Sequence, residues 1–306
     1  MSEVLENNEV NNTSSVNEEN VKPEADADAQ VKTEKTKIDE IKNNVPVITA
    51  EERVRIARCM ERPSAEEYIN ALFDDFFEIH GDKLCYDDAS IVGGIATFHD
   101  IPVTVIGQKR GHSVEDNMKI NFGMTSPEGY RKAMRLMKQA EKFGRPVITF
   151  VDTPGAYPGD EAEAHGQGEA IARNLAIMSD LKVPVITIVT GQGNSGGALA
   201  LSVADEIWML ENSVYSILSP EGFASILWKD ASRKGEACEL MKLTANDLKN
   251  YGVIDEVIKE PKGGVHNNPA YVYKAIDKLL YKKLAGLLMT SPDALIKKRY
   301  KKYRNM

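Results

Sequence analysis

The chain has 306 residues, 42% of them hydrophobic, with a formal net charge of −8 and a sequence pI near 5.3. That length allows one large domain or two small ones, with enough apolar content for a sizeable core. An acidic chain does not suit nucleic-acid binding, whose affinity comes from neutralising phosphates. The charge is uneven. Residues 1–44 carry 11 acidic and 5 basic side chains, whereas residues 281–306 carry 8 Lys and Arg against one Asp. Cys59, Cys85 and Cys238 are scattered, without a Cys-x-x-Cys pair or a His at ligand spacing. This argues against a disulfide framework and a local metal site. No 18-residue apolar run occurs, and the first residues are acidic rather than basic and then apolar. Neither a membrane span nor a signal peptide is expected, and the expected setting is the cytoplasm.

Residues 1–37 are rich in Glu, Asn and Lys and lack aromatic side chains. Such a segment cannot bury enough apolar surface to offset its chain entropy, so a disordered acidic extension is expected over 1–44. Two helix starts with capping-box spacing follow, Thr49 with Glu52 and Ser64 with Glu67. After the second, Ile69, Leu72, Phe73 and Phe76 recur at helical spacing and Gly81 offers a stop. The pattern predicts a helical hairpin whose second helix runs up to Gly81. "SIVGGIATFHDIPVTVIGQKRG" then predicts two strands joined by a turn at His99-Asp100-Ile101-Pro102. "PEGYRKAMRLMKQAEKFG" predicts an amphipathic helix, with Pro127 near its start and Gly144 past its end.

Two strand–loop–helix units follow. Strand 146–152 runs into "DTPGAYPG" and the helix "GQGEAIARNLAIMSDL"; strand 184–190 runs into "GQGNSGG", the helix "GALALSVAD" and the strand "EIWMLENSVYSIL". Near-continuous Val/Ile runs alternating with helices indicate an α/β fold with mostly parallel strands. Glycine-rich loops at the C-terminal ends of two such strands mark the expected ligand side. A helix at about 269–288, a second start at Ser291-Pro292 and the basic "KKRYKKYRNM" close the chain. That tail suits either a solvated helix end or contact with phosphates or an acidic surface.

The stretch "VTGQGNSGGALALSVAD" at 189–205 matches three templates. Gly191, Gly193 and Gly196 spell the dinucleotide fingerprint, with Glu211 placed to bind a ribose. Gly193, Ser195 and Gly197 spell a nucleophile elbow, with Asp255 and His266 following in hydrolase order. In the third, the backbone amides of Gly196 and Gly197 at a helix start stabilise a carbonyl gaining negative charge. "DTPGAYPG" would supply a second such donor set through Gly155 and Ala156. Two amide-lined turns on neighbouring strands favour this third template and chemistry in which two carbonyls become anionic, such as proton abstraction beside a thioester.

The run "NFGMTSPEGYRKAMRLMKQAEKFGRPVITFVDTPGAYPG", followed by "GQGEAIARNLAIMSDLKVPVITIVTGQGNSGGALALSVAD" and "MLENSVYSILSPEGFASILWKDAS", closely resembles the α-subunit family of bacterial-type acetyl-CoA carboxylase carboxyltransferases. The resemblance spans about residues 45–266. It implies a crotonase-like (ClpP/crotonase) α/β superhelix of repeated ββα units over 45–268, including the N-terminal helical hairpin, with C-terminal helices and a basic tail over 269–306. It further implies transfer of a carboxyl group from carboxybiotin, on a biotin carrier protein, to acetyl-CoA, giving malonyl-CoA for fatty acid biosynthesis. The implied partners are a zinc-bearing β-subunit in an α2β2 heterotetramer, the biotin carboxyl carrier protein and biotin carboxylase. No metal is implied for this chain, and neither a membrane nor a nucleic acid is an expected partner. Carried onto these positions, Gly196 and Gly197 are the catalytic donors to the biotin ureido oxygen. The released biotin nitrogen then deprotonates the acetyl methyl group, so no side-chain base is needed. Gly155, Ala156, Tyr157, Gly159 and Ser195 are the expected substrate-binding residues. The chain departs from the family pattern at Gln192 and Asn194, at Asp160-Glu161, and at His165, which stands at an arginine position. A self-contained hydratase or isomerase of the same superfamily would instead need a carboxylate over the thioester, with Glu169 and Glu221 as candidates.

Overall fold

The computed structural model describes residues 48–306, so the expected extension over 1–44 lies outside the described residues. Local signals set the first elements. Thr49 Oγ1 accepts from the Glu52 amide at 3.1 Å and starts α1 (Ala50–Ala57), while Ser64 and Glu67 close a full capping box on α2 (Ala65–Leu72). The predicted hairpin does not form. α1 buries Ala50, Val54 and Ala57 against Val214, Cys238 and Leu243, whereas α2 buries Tyr68, Ile69 and Leu72 in the main core. The second helix also stops early. Phe73 is extended (φ −128°, ψ 146°), and Asp74–Glu78 forms strand β1. β1 pairs antiparallel with β2 (Ile91–Phe98), bulging between Asp74 and Phe77, with Asp75 at φ 52°. Gly94 of β2 makes this pairing possible, because a Cβ there would lie 2.1 Å from the Phe77 carbonyl oxygen. The helical spacing of Phe73 and Phe76 is thus overridden by an available sheet edge.

β2 turns into β3 (Ile101–Gln108) through two residues only, His99 and Asp100, both at positive φ, so Ile101 and Pro102 belong to the strand rather than the turn. From there the sheet is parallel. β4 (Val147–Thr153) joins β3, β5 (Val185–Asn194) joins β4, β6 (Glu206–Leu210) joins β5 and β8 (Glu256–Ile258) closes the order β1-β2-β3-β4-β5-β6-β8. A short β7 (Val214–Ser216) pairs with the last residues of β5, Gln192 to Asn194. Helices cover both faces, which explains the unbroken apolar runs. Ile148, Phe150, Ile186 and Ile188 face a layer made by α2 and α11 (Pro269–Leu288), whose Val272, Ile276, Leu280 and Leu284 form one buried stripe. The alternate residues Val147, Val151, Val185 and Val189 face Leu136, Met137 and Ala140 of α4 (Pro127–Lys142) and Met178 of α6 (Gln167–Asp180).

The basic C-terminal segment is built into this second layer. In α12 (Pro292–Arg304), Arg299 is 1% exposed, pairs with Asp205 at 2.7 Å and donates to the carbonyls of Met178, Leu181 and Val183. Tyr303 Oη accepts from the Ala204 amide, and Lys302 pairs with Asp255. Of the two uses considered for the tail, neither describes these three side chains; they fasten α12 to the loop before β6.

Candidate functional site

β5 is longer than its apolar run suggests and continues through Gly191, Gln192, Gly193 and Asn194. The first two glycines of the fingerprint therefore sit in a strand, where close packing requires them. A Cβ at Gly191 would lie 2.4 Å from the Asp152 carboxylate, and one at Gly193 would lie 2.8 Å from the Tyr215 ring. Nothing in that role calls for a pyrophosphate, and Glu211 is engaged by Lys259 and the Glu260 amide. Ser195 does sit at a strained strand-to-helix turn, with φ 58°, exposed. Its supposed partners are elsewhere. Asp255 accepts from the Ile207 amide and pairs with Lys302, while His266 lies beside Cys59. The structure therefore assembles neither a nucleotide fingerprint nor a catalytic triad.

The helix after the turn, α7 (Ser195–Leu199), is five residues rather than the longer helix expected. A single turn accumulates little macrodipole, so its first amides act as individual donors. Asn194, at the cap position, makes no side-chain cap; its Oδ1 accepts from Ser216 Oγ at 3.0 Å instead. Among the described residues no hydrogen bond uses the amide of Gly196 or Gly197. The two glycines differ in surroundings. A Cβ on Gly196 would meet only Ile171, at 3.5 Å, whereas one on Gly197 would fall 2.5 Å from the Ala156 nitrogen and 2.7 Å from the Gly155 carbonyl carbon. The missing side chain of Gly197 thus lets the "DTPGAYPG" loop touch the turn.

That loop is narrower as a donor than its sequence suggests. The Gly155 amide donates to Thr153 Oγ1 at 3.1 Å, and the Tyr157 amide to the Thr125 carbonyl at 3.0 Å. Ala156 is the one of the three whose amide has no partner among the described residues. Gly159 is needed locally, since a Cβ there would lie 2.6 Å from the Tyr157 ring. Ser195 and Gly196 line an apolar cavity of about 560 Å³ with Leu199, Tyr215, Phe223 and Met241. Tyr157 lines a separate, polar cavity of about 300 Å³ with Glu128, Glu161 and His165. The expected site residues therefore fall into two groups, with Tyr157 outside the cavity beside Gly196.

Sequence reasoning passed over the groups that hold this turn. Gln108 Nε2 and Tyr130 Oη both donate to the Gly197 carbonyl, at 3.1 and 3.2 Å. Burial pushes the Tyr130 phenol up, which keeps it a donor. Asp152, at the end of β4, takes two bonds from Arg110 at 2.6 and 2.7 Å and one from the Gln192 amide at 2.8 Å. Arg110 also donates to the carbonyls of Ala57 and Cys59, so one guanidinium ties both glycine-bearing strand ends to α1. A polar residue at the buried end of a strand, as Gln108 is in "VTVIGQ", was the available signal. Neither carboxylate candidate is free. Glu169 pairs with Arg173, and Glu221, in α8 (Pro220–Trp228), forms two bonds to Arg58. The Arg58 hydrogen bonds hold the Glu221 carboxyl below its usual range, the opposite of what a base over a thioester needs.

Comparisons with known proteins bear on the family and the fold. Residues 3–306 match the family described as acetyl co-enzyme A carboxylase carboxyltransferase-like. Among similar proteins, the acetyl-coenzyme A carboxylase carboxyl transferase subunit alpha of Clostridium acetobutylicum is 60% identical over 263 residues, covering 86% of this chain and 96% of that one. The protein of the same description from Clostridium perfringens is 58% identical over 254 residues, 83% of this chain and 94% of that one. Among solved structures, a transcarboxylase 12S chain superposes with a TM-score of 0.60 at 22% identity, covering 76% of this chain and 43% of that one. The β-subunit of Pseudomonas aeruginosa geranyl-CoA carboxylase gives 0.58 at 16% identity, covering 81% and 46%. These two share the crotonase-like α/β fold, and this chain spans less than half the length of either. Among the described residues no helix is long and apolar enough to cross a membrane. By family match over nearly its whole length and by close relatives, the chain belongs to the acetyl-CoA carboxylase carboxyltransferase α-subunit family.

Proposed function

We propose that this chain is the α-type half of an acetyl-CoA carboxyltransferase, moving a carboxyl group from carboxybiotin on a carrier protein to acetyl-CoA and yielding malonyl-CoA. The observation that carries this reading is the apposition of the Gly196-Gly197 turn and the Ala156 loop beside an apolar cavity. The arriving biotin supplies the carboxyl group and a ureido carbonyl on which negative charge develops. The chain's own contribution is made by its backbone. Gly196 and Gly197 offer uncapped amides to an oxygen gaining charge, and Gly196 lets that oxygen lie close. Leu199, Tyr215 and Phe223 give the same space an apolar lining, which would strengthen each N–H···O interaction once a partner covers it. Ala156 offers one further donor on the facing loop. Gly155 and Gly159 shape that loop, Tyr157 braces it from the polar side, and Ser195 leaves room at the turn. With Glu169 and Glu221 already paired, no side-chain base is assigned in this chain, and biotin, when bound, would supply the base through its ureido nitrogen.

The same surface supports a covering partner. Ile217 is 78% exposed at the cavity, and Ile226 and Leu227 are exposed on α8, the helix that supplies Phe223. A zinc-bearing β-subunit covering these side chains would complete the site, in an α2β2 assembly fed by a biotin carboxyl carrier protein and biotin carboxylase in the cytoplasm. The test is reconstitution. The purified full chain should give no malonyl-CoA alone and steady turnover with a β-subunit and a carboxybiotin donor. Turnover by the chain alone would overturn the proposal.

A further inference from the structure

Three side chains from separate elements converge on the polar face, away from the Gly196 cavity. Cys85 lies in the loop between β1 and β2, Glu128 in the first turn of α4, and His165 just after α5 (Asp160–Ala164). A thiol sulfur, a carboxylate oxygen and an imidazole nitrogen from these residues all lie within 4.8 Å of one another. Sequence spacing hides this set, because only the fold brings the loop, the helix start and the α5 end together. We propose that Cys85, Glu128 and His165 bind one zinc-class divalent cation, with the fourth position left to water.

The ligand chemistry selects the cation class. Sulfur, nitrogen and one carboxylate oxygen suit zinc and its neighbours, whereas magnesium and calcium prefer oxygen alone. The geometry is close to what binding needs. His165 Nδ1 and a Glu128 oxygen are 2.8 Å apart. Tetrahedral coordination at roughly 2.0–2.1 Å per bond puts such a pair about 3.3 Å apart. Opening that pair by a few tenths of an ångström and swinging the exposed Cys85 thiol inward completes the set. Supports for all three ligands are in place. Asp82 accepts from the amides of Leu84 and Cys85 at 2.9 and 2.8 Å and fixes the turn that presents the thiol. Arg131 donates to Asp82, to the His165 carbonyl and to Glu128 Oε1, the oxygen that also faces His165 Nδ1, so it ties the three segments together and leaves Glu128 Oε2 for the cation. The Tyr86 ring stacks on His165 with centroids 6.2 Å apart. Bound as thiolate and carboxylate, Cys85 and Glu128 supply two negative charges to the dication, and Asp82 offsets Arg131. The adjacent polar cavity, which Glu128, Glu161 and His165 line, gives the cation and its water access. Binding releases the Cys85 proton and cross-links the 82–88 loop to the end of α5.

Cobalt(II) is the probe, because a thiolate ligand gives it a near-ultraviolet sulfur-to-metal charge-transfer band. The full chain, kept reduced, is titrated with Co²⁺ and then Zn²⁺. The expected result is a band saturating at one equivalent, displaced by Zn²⁺, lost in Cys85→Ser and weakened at least tenfold in His165→Gln. Cys59→Ser and Cys238→Ser should keep it, and far-ultraviolet circular dichroism should find all four variants folded. Cys85 is exposed, and Cys85→Ala provides a second test of the same ligand. No band, a band that survives loss of Cys85, or one lost with Cys59 would overturn the proposal.

Discussion

Gly196 and Gly197 are adjacent, yet alanine should damage them in different ways. At Gly197 the new methyl would lie 2.5 Å from the Ala156 nitrogen, 2.7 Å from the Gly155 carbonyl carbon and 2.9 Å from Tyr130 Oη. Two of these are backbone atoms that cannot rotate away, so the loop must shift. Overpacking of this kind costs about 1–3 kcal/mol. For a domain of this size that corresponds to roughly 2–12 °C in melting temperature. At Gly196 the methyl meets only the Ile171 side chain at 3.5 Å, an ordinary contact. Gly196→Ala should therefore melt within about a degree or two of wild type, since nothing is overpacked. Its activity should nevertheless fall, because the methyl occupies the space an incoming oxygen needs. Losing one oxyanion donor costs about 10²–10³ in kcat. The assay is carboxyl transfer by the reconstituted complex beside a thermal melt of each variant. Gly196→Ala with wild-type kcat would refute the reasoning, as would Gly197→Ala with wild-type stability.

Four further predictions concern the support of the site. Asp152→Asn leaves the Arg110 guanidinium buried without its partner and should cost about 3–5 kcal/mol in urea unfolding, the usual penalty for breaking a buried pair. Arg299→Leu removes the fastening of α12 at Asp205 and should destabilise by a similar amount, about 3–5 kcal/mol, although it lies in the basic tail; an unchanged denaturation midpoint would contradict the docking described. Ser195→Ala should keep carboxyl transfer within a few-fold, and wild type should resist serine-directed fluorophosphonates; labelling at Ser195 would revive the hydrolase reading. His112 provides a pH signature. Burial alone lowers its pKa, but bonds to the Met60 carbonyl and Glu67 outweigh this and raise it. A raised folded value gives stability that is complete below about 6.5, the ordinary histidine value, and lost as pH climbs through the folded one. The stability gap between wild type and His112→Phe should therefore shrink from about pH 6.5 upward, and a widening gap would reverse the assignment.

The fold was legible where one force acts alone. Val147 to Val151 and Val185 to Val189 are buried on both faces, so their apolar runs announce parallel strands directly. It was obscured where two forces compete. Phe73 and Phe76 satisfy a helix as well as a strand, and only the edge opened by Gly94 decides between them. The glycine motif was ambiguous for a related reason. Gly191, Gly193 and Gly197 are needed for contacts with Asp152, Tyr215 and Ala156, and a sequence states that a glycine is present without stating what it approaches. Gln108 and Tyr130 were missed because their partner is a carbonyl far along the chain. The Cys85, Glu128 and His165 cluster was missed because spacing rules see ligands only when they are neighbours in sequence.

The central claim is that backbone N–H groups, not side chains, do the chemistry of this half-site. Its most direct test removes one N–H and nothing else. Replacing Gly196 by glycolic acid turns the Ser195–Gly196 amide into an ester, and the Gly197 counterpart does the same one residue on. In the complete complex, each ester should lower kcat by about 10²–10³ with the KM for acetyl-CoA nearly unchanged. Esters that turn over at the wild-type rate would contradict the account.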